Sequence, residues 1–140
     1  MNDKIFIDTN IFLYAFSDKD SRKQAIAKEI VLDKSTISVQ VINETSNNLI
    51  KKLGLDENSI KHFIQSAYMR YQVVNFSRNI FVKASDIRIR YQYSYYDSLI
   101  IAAALESQCT LLYSEDMHNA QVIDDVLTII NPFLMDNRVK

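Results

Sequence analysis

Short apolar runs alternate with helix-period segments along most of the 140 residues. No other feature narrows the fold as much, because alternation of this kind implies a mostly parallel sheet covered by helices on both faces. Lys4 to Asp8 (KIFID) reads as a strand buried on both faces. Further strands are expected at Thr36–Val39, Gln72–Phe76, Thr110–Ser114 and Leu127–Ile130, the last closed by Asn131-Pro132. Helices are expected over Asp20–Leu32, Gln40–Leu53 and about Asp56–Arg70, after Ser77, and over Tyr96–Ser107. Gly54 is placed to end the second of these, and Ser77 to cap the fourth. The last is apolar nearly all round (DSLIIAAALE), which places it deep in the core. The expected architecture is a three-layer α/β/α sandwich around a central, mostly parallel sheet.

Length and composition fit one domain spanning residues 1–140. The single Gly and single Pro leave no visible linker, repeat or low-complexity segment. Cys109 is alone and cannot form an internal disulfide, so it reads as a small buried hydrophobe in a reducing compartment. The opening MNDKIFIDTN is charged and turns at once into a strand pattern, so no signal peptide is read there. No apolar run is long enough to span a bilayer. A cytoplasmic location without membrane association is expected. The net charge of −1 argues against coating of nucleic acid by charge alone. It is compatible with an enzyme that contacts a few phosphates and whose metal ions carry the positive charge.

In a parallel sheet the ligand site lies beyond the carboxyl ends of the strands. Asp8 ends the first strand, Asp116 follows another by two residues, and Asp97 opens the buried helix. All three therefore converge on one rim. Glu44, three residues after Val41 and near the start of a helix that follows a strand, shares that rim and can reach a cleft. Close carboxylates resist joint ionisation unless cations sit between them. Magnesium or manganese, one or two ions, fits an all-oxygen set; with no Cys or His cluster, zinc does not. Such ions can activate water and hold a phosphate, and the chain offers no covalent nucleophile paired with a base. Each acid also has an ordinary reading: Asp8 as a helix cap, Asp97 as part of a capping box with Ser94, Glu44 as a surface residue, Asp116 as a turn residue. The case rests on their joint placement.

Thr9, Asn10 and Ser114 are expected in supporting positions, orienting a carboxylate or a metal-bound water, though Thr9 and Asn10 also read as simple caps. Glu115 is expected to point away if Asp116 points in. His62 and His118 have no partners at metal spacing. Tyr91, Tyr93, Tyr95 and Tyr96 with Arg88 and Arg90 read either as an RNA-facing patch or as part core, part protein interface.

These residues also carry a family resemblance. IFIDTNIFLYAF resembles the start of a PIN domain, SVQVINETSNNL the segment bearing that family's glutamate, and YSYYDSLIIAAALESQCTLLYSEDM the segment bearing its two later aspartates. QVIDDVLTIINPF resembles its closing strand, so the likeness runs from about residue 4 to 134. It implies metal-dependent ribonuclease activity, with Asp8, Glu44, Asp97 and Asp116 as the acidic residues. Stand-alone domains of this size resemble VapC-type toxins of bacterial type II toxin–antitoxin systems. That implies a homodimer, a cognate antitoxin and an RNA substrate, commonly tRNA. One departure stands out: related sequences often have Gly near Ala120 and Asp125. The alternative reading is a non-catalytic RNA- or protein-binding module of the same fold, motivated by the near-neutral charge and the tyrosine-rich stretch. A phosphatase is a more distant option, since Asn10 stands where a second Asp would be wanted.

Overall fold

A computed structural model describes residues 3–134. Its six strands form one sheet in the order β3-β2-β1-β4-β6-β5. The strands are β1 (Ile5–Ile7), β2 (Thr36–Ser38), β3 (Gln72–Val74), β4 (Leu111–Tyr113), β5 (Val122–Ile123) and β6 (Leu127–Ile130). The helices are α1 (Thr9–Phe16), α2 (Ser21–Leu32), α3 (Val39–Lys51), α4 (Glu57–Arg70), α5 (Arg78–Tyr91) and α6 (Tyr95–Glu106), with a 3-10 turn at Pro132–Leu134. They flank the sheet to make the three-layer α/β/α sandwich. All strand pairs are parallel except β5 with β6.

The central strand β1 is locked in register on both sides, with Phe6 opposite Thr36 of β2 and Leu112 of β4. Phe6, Ile7, Ile37, Leu112 and Ile129 are fully buried, as strands covered on both faces require. Helix α6 explains its own sequence: Ser98 through Ala104 are all buried, so no polar stripe is left to face water. Every helix begins at an Asp or Ser whose side chain accepts a backbone N–H of the first turn: Asp8, Asp20, Ser38, Asp56, Ser77 and Ser94. Gly54 ends α3 in the left-handed region (φ 68°), its N–H donating to the Ile50 carbonyl at 3.0 Å.

Two elements have no counterpart in the sequence-based expectation. Helix α1 follows β1 after a single residue, because Asp8 both closes the strand and caps the helix. Its sequence TNIFLYAF lacks a charged face, so no amphipathic period announces it. The link from β4 to β6 holds no helix. It is a loop carrying the short strand β5, which turns back against β6 at the sheet edge.

That loop holds the positions near which the family resemblance implies Gly. Ala120 (φ 70°) and Asp125 (φ 59°) both adopt the left-handed backbone, as does Asp124 (φ 51°). The Val126 N–H donates to the Ile123 carbonyl at 3.0 Å, closing a turn with two left-handed central residues. The backbone shape that glycine favours is thus kept with ordinary side chains. Alanine tolerates this region less well than aspartate. Ala120→Gly is expected to stabilise the protein by roughly 0.5–1 kcal/mol, the relief of backbone strain exceeding the added unfolded-state entropy. Gly54→Ala is expected to destabilise it by about 1 kcal/mol. Urea denaturation of both variants checks the two signs.

Candidate active site

The carboxyl ends of β1 and β4 lie side by side, since Ile7 pairs with Tyr113. The next residue on each strand is polar and buried: Asp8 on β1 and Ser114 on β4. The Ser114 hydroxyl donates to Asp8 Oδ2 at 2.8 Å, and the Thr9 N–H donates to Asp8 Oδ1 at 2.7 Å. Both oxygens of this carboxylate therefore have a partner inside the protein.

Asp8 forms the floor of a cavity of about 460 Å³ that is also lined by Glu44, Asp97 and Asp116. The four acids come from the residue after β1, from α3, from α6 and from the loop after β4, and the fold brings them to one cavity. Glu44 is held by the Thr9 hydroxyl (2.8 Å) and by the Gln40 amide one helical turn earlier (3.1 Å). Asp116 accepts from the Asn10 side-chain amide at 3.0 Å. Asn10 also accepts the Glu115 N–H through its Oδ1 (3.2 Å), so one side chain ties α1 to the loop after β4. Asp97 sits in the first turn of α6, whose cap Ser94 accepts the Asp97 N–H at 3.1 Å.

The electrostatics of the cavity are unbalanced. Among the described residues, none of these four carboxylates is paired with a Lys or Arg. Burial pushes the Asp8 carboxyl up from 3.8 to about 7, and the charges of Asp97 and Glu44 add to the rise, while Ser114 and Thr9 pull it back. Asp97 is also raised, first by burial and then by Asp116 and Glu44, with Ser94 opposing. Burial costs the charged form its hydration, and neighbouring negative charge compounds the cost.

Glu115 behaves differently from its neighbour. It does not turn out of the site as expected: it lines the same cavity as Asp116, where Tyr14 of α1 and Lys23 of α2 hold it, Lys23 as an ion pair. The Tyr14 hydroxyl donates to Glu115 at 2.7 Å, and the Lys23 ammonium lies 4.8 Å from the Tyr14 ring centre. Sequence reasoning missed Tyr14 and Lys23. Lys23 sits 92 positions from Glu115 on an amphipathic helix, and nothing local marks it. Lys19 and Lys52 also line the cavity and are exposed. His62 is exposed on α4, away from the acids, and His118 packs its ring on Tyr93. Cys109 is buried just beyond α6.

The donor chemistry suits a hard divalent cation. All donors are oxygens, and the crowded negative charge is the kind a cation relieves. Among the described residues no three Asp, Glu, His or Cys side chains form a ready-made cage around one point. Magnesium does not require one, because it commonly takes one or two carboxylates and keeps several waters.

The family model of the PIN domain matches residues 5–123. The chain belongs to the PIN-domain family. Solved PIN-like structures resemble it over most of their length. One is a toxin–antitoxin complex from Klebsiella pneumoniae, with a TM-score of 0.69, 19% identity, and 92% of this chain and 98% of that one covered. Another is VapC20 of Mycobacterium tuberculosis, described as a toxin that cleaves the sarcin–ricin loop (TM-score 0.65, 20% identity, 81% and 90% covered). A third is FitAcB from Neisseria gonorrhoeae (TM-score 0.66, 13% identity, 94% and 99% covered). At these identities the likeness is one of fold. Comparison with curated protein sequences gives no match. Among the described residues, no helix of this PIN domain is long and apolar enough to cross a membrane.

The Asp8 displacement predicts a specific pH dependence. Between about pH 4 and 7 the folded protein holds a proton on Asp8 that the unfolded chain has released, so this group's contribution to stability falls as pH rises through that window. Asp8→Asn, which cannot ionise, is expected to match the parent near pH 4 in EDTA. It is expected to exceed the parent in stability by a few kcal/mol above pH 7, since one pKa unit is about 1.4 kcal/mol. Denaturant unfolding of both proteins at pH 4.5, 6 and 8 checks this; a pH-independent difference contradicts the buried, proton-holding carboxyl.

Proposed function

We propose that this protein is a metal-dependent endoribonuclease, the toxin of a bacterial type II toxin–antitoxin pair, acting in the cytoplasm. The observation that carries the reading is the cavity itself: Asp8, Glu44, Asp97 and Asp116 line it without an ion pair among the described residues, and Asp8 is buried and raised to about 7. Membership of the PIN family supports nuclease chemistry. The structural neighbours solved as toxin–antitoxin complexes support an antitoxin partner. VapC20, as a toxin that cleaves an RNA loop, supports RNA as the substrate class, with tRNA one option within it. A homodimer is part of the same proposal, as is a single functional domain over the whole chain.

In this reading Asp8, Asp97 and Asp116 would hold one or two Mg²⁺ or Mn²⁺ ions, and Glu44 would complete the set or orient the attacking water. When bound, such an ion would acidify a water and neutralise charge on the phosphate. The residues of the chain supply position. Ser114 and the Thr9 N–H hold the Asp8 carboxylate and lower its proton affinity, which favours the charged form a cation needs. Thr9 fixes Glu44, and Asn10 fixes Asp116. Lys19 and Lys52 at the mouth offer positive charge to flanking phosphates, which the acids alone would repel.

The test is cleavage of RNA with Mg²⁺ or Mn²⁺ by the parent and by Asp8→Ala and Asp97→Ala. Each substitution is expected to lower the rate by about a hundredfold or more, at or above the roughly 10–100-fold cost of removing an outer partner at a metal centre. Unchanged cleavage by both variants defeats the proposal. Ser114→Ala is expected to lose roughly 10–100-fold and to need more metal for half-maximal rate, because Asp8 then holds its proton more tightly. A non-catalytic module of this fold predicts instead no rise in melting temperature on adding either ion.

A further inference from the structure

The acids gather at the carboxyl ends of the parallel strands. The amino ends of β1, β2 and β3 form the opposite rim, and there the charge is reversed. A groove of about 400 Å³ on that rim is lined by Lys4 just before β1, Lys34 before β2, Arg70 at the end of α4 and Gln72 at the start of β3. Its single acid, Asp3, accepts the Thr110 hydroxyl at 2.9 Å.

The cations of this groove are not neutralised. Among the described residues, Lys4, Lys34 and Arg70 form no ion pair. Lys4 donates to the Ser107 carbonyl and Arg70 to the Val31 carbonyl at 3.5 Å, contacts that hold a side chain without cancelling its charge. The exposed Lys34 ammonium has no partner at all among the described residues. Gln72 is oriented by its neighbour: its Oε1 accepts the Thr36 hydroxyl at 3.3 Å, which leaves the Nε2 hydrogens to donate. The groove therefore presents positive charge and donors, the inverse of the acidic cavity.

We propose that Lys34, Arg70 and Gln72 form a second phosphate site, which holds the backbone of the RNA at a point away from the cut. The proposal rests on the ribonuclease reading. A chain of net charge −1 whose reacting end is acidic gains little long-range attraction for a polyanion. Unpaired cations gathered on the other rim supply that attraction locally. Lys4 and Asp8 bracket β1, so the two rims lie about 13 Å apart at roughly 3.3 Å per residue. At a stacked spacing of about 3.4 Å, at least four or so nucleotides cover that distance. Arg70 can grip a phosphate through two parallel N–H bonds, and Lys34 acts as a point charge. Such contacts position the RNA and carry no sequence information, so the groove adds affinity for any RNA long enough to reach it.

The experiment uses the full chain in EDTA, which permits binding without cleavage. Fluorescence anisotropy reads the affinity for a labelled RNA of about 20 nucleotides at several salt concentrations. The proteins compared are the parent, Lys34→Gln, the pair Lys34→Gln/Arg70→Gln, and the charge-keeping pair Lys34→Arg/Arg70→Lys. Each lost phosphate contact is expected to flatten the plot of log affinity against log salt by about 0.7–0.9. Lys34→Gln should remove one such step and the Gln pair two, while the charge-keeping pair retains the parent slope. Lys34 has no partner to lose, so the single variant reads the site without disturbing the fold. In the cleavage assay with Mn²⁺, the Gln pair is expected to raise KM with little change in kcat, since a contact far from the cut is the same in ground and transition states. If the parent cleaves RNA but the Gln pair alters neither slope nor KM, the second site is overturned and the nuclease reading stands. A fall in kcat at constant KM also overturns it, as does failure of the parent to bind the RNA. If the slope shifts as expected but the parent cleaves nothing, the site stands and the nuclease reading fails. If ATP raises the melting temperature of the parent and not of the Gln pair, while both share one salt slope for RNA, the groove takes free nucleotides and the proposal fails.

Discussion

Crowded negative charge is the constraint around which this molecule is arranged. Asp8 is buried at the floor of the cavity with the charges of Asp97 and Glu44 nearby, and the protein supplies no ion-pairing Lys or Arg to these acids among the described residues. It supplies neutral donors instead: a serine hydroxyl, a threonine hydroxyl, a backbone N–H and two side-chain amides. Neutral donors hold geometry without cancelling charge. The one acid of the cavity that is neutralised by a side chain, Glu115, sits on the wall toward α1 and α2. Within one loop, Glu115 is neutralised by Lys23 and fastens α2 to the site, while Asp116 is held by the neutral Asn10 amide and keeps its charge uncompensated.

The fold turns this arrangement into a consequence of topology. Parallel strands send β1 and β4 out on the same rim, and helices α1 and α3 start on it after one residue or none. Asp8 and Glu44 are thereby brought together although the chain between them crosses the sheet and returns. Helix α6 reaches the rim from the other side, with its buried length anchoring the exposed first turn that carries Asp97. The buried part of the helix lies in the core, and the carboxylate that lines the cavity is at its end.

Much of this was legible in the sequence, and the illegible parts have identifiable reasons. KIFID and DSLIIAAALE announce their environments because burial on all sides removes polar residues. The rim position of Asp8, Asp97 and Asp116 follows from alternation alone. Helix α1 was not legible: TNIFLYAF is apolar over most of its surface, and its cap doubles as the last residue before the helix. Strand β5 was hidden because its turn uses Asp124-Asp125 at two left-handed positions, where the usual signal includes glycine. The Tyr14–Glu115–Lys23 cluster joins three parts of the chain and leaves no local trace. The tyrosine-rich stretch was ambiguous as a unit because it is not one: Tyr91 and Arg90 fasten Asp124, Tyr93 pins the 118–121 loop, and only Tyr95 and Tyr96 face outward.

The pairing of Ile7 with Tyr113 has a wider implication. Asp8 and Ser114 face each other one step beyond that pair, so the spacing at the heart of the cavity is a property of the sheet lattice, in which adjacent strands lie about 4.8 Å apart. The far rim, where α6 turns into β4 through Gln108, contributes nothing to that spacing. Changes confined to that end leave the spacing of Asp8 and Ser114 as the sheet sets it. The two rims of the molecule answer to different constraints.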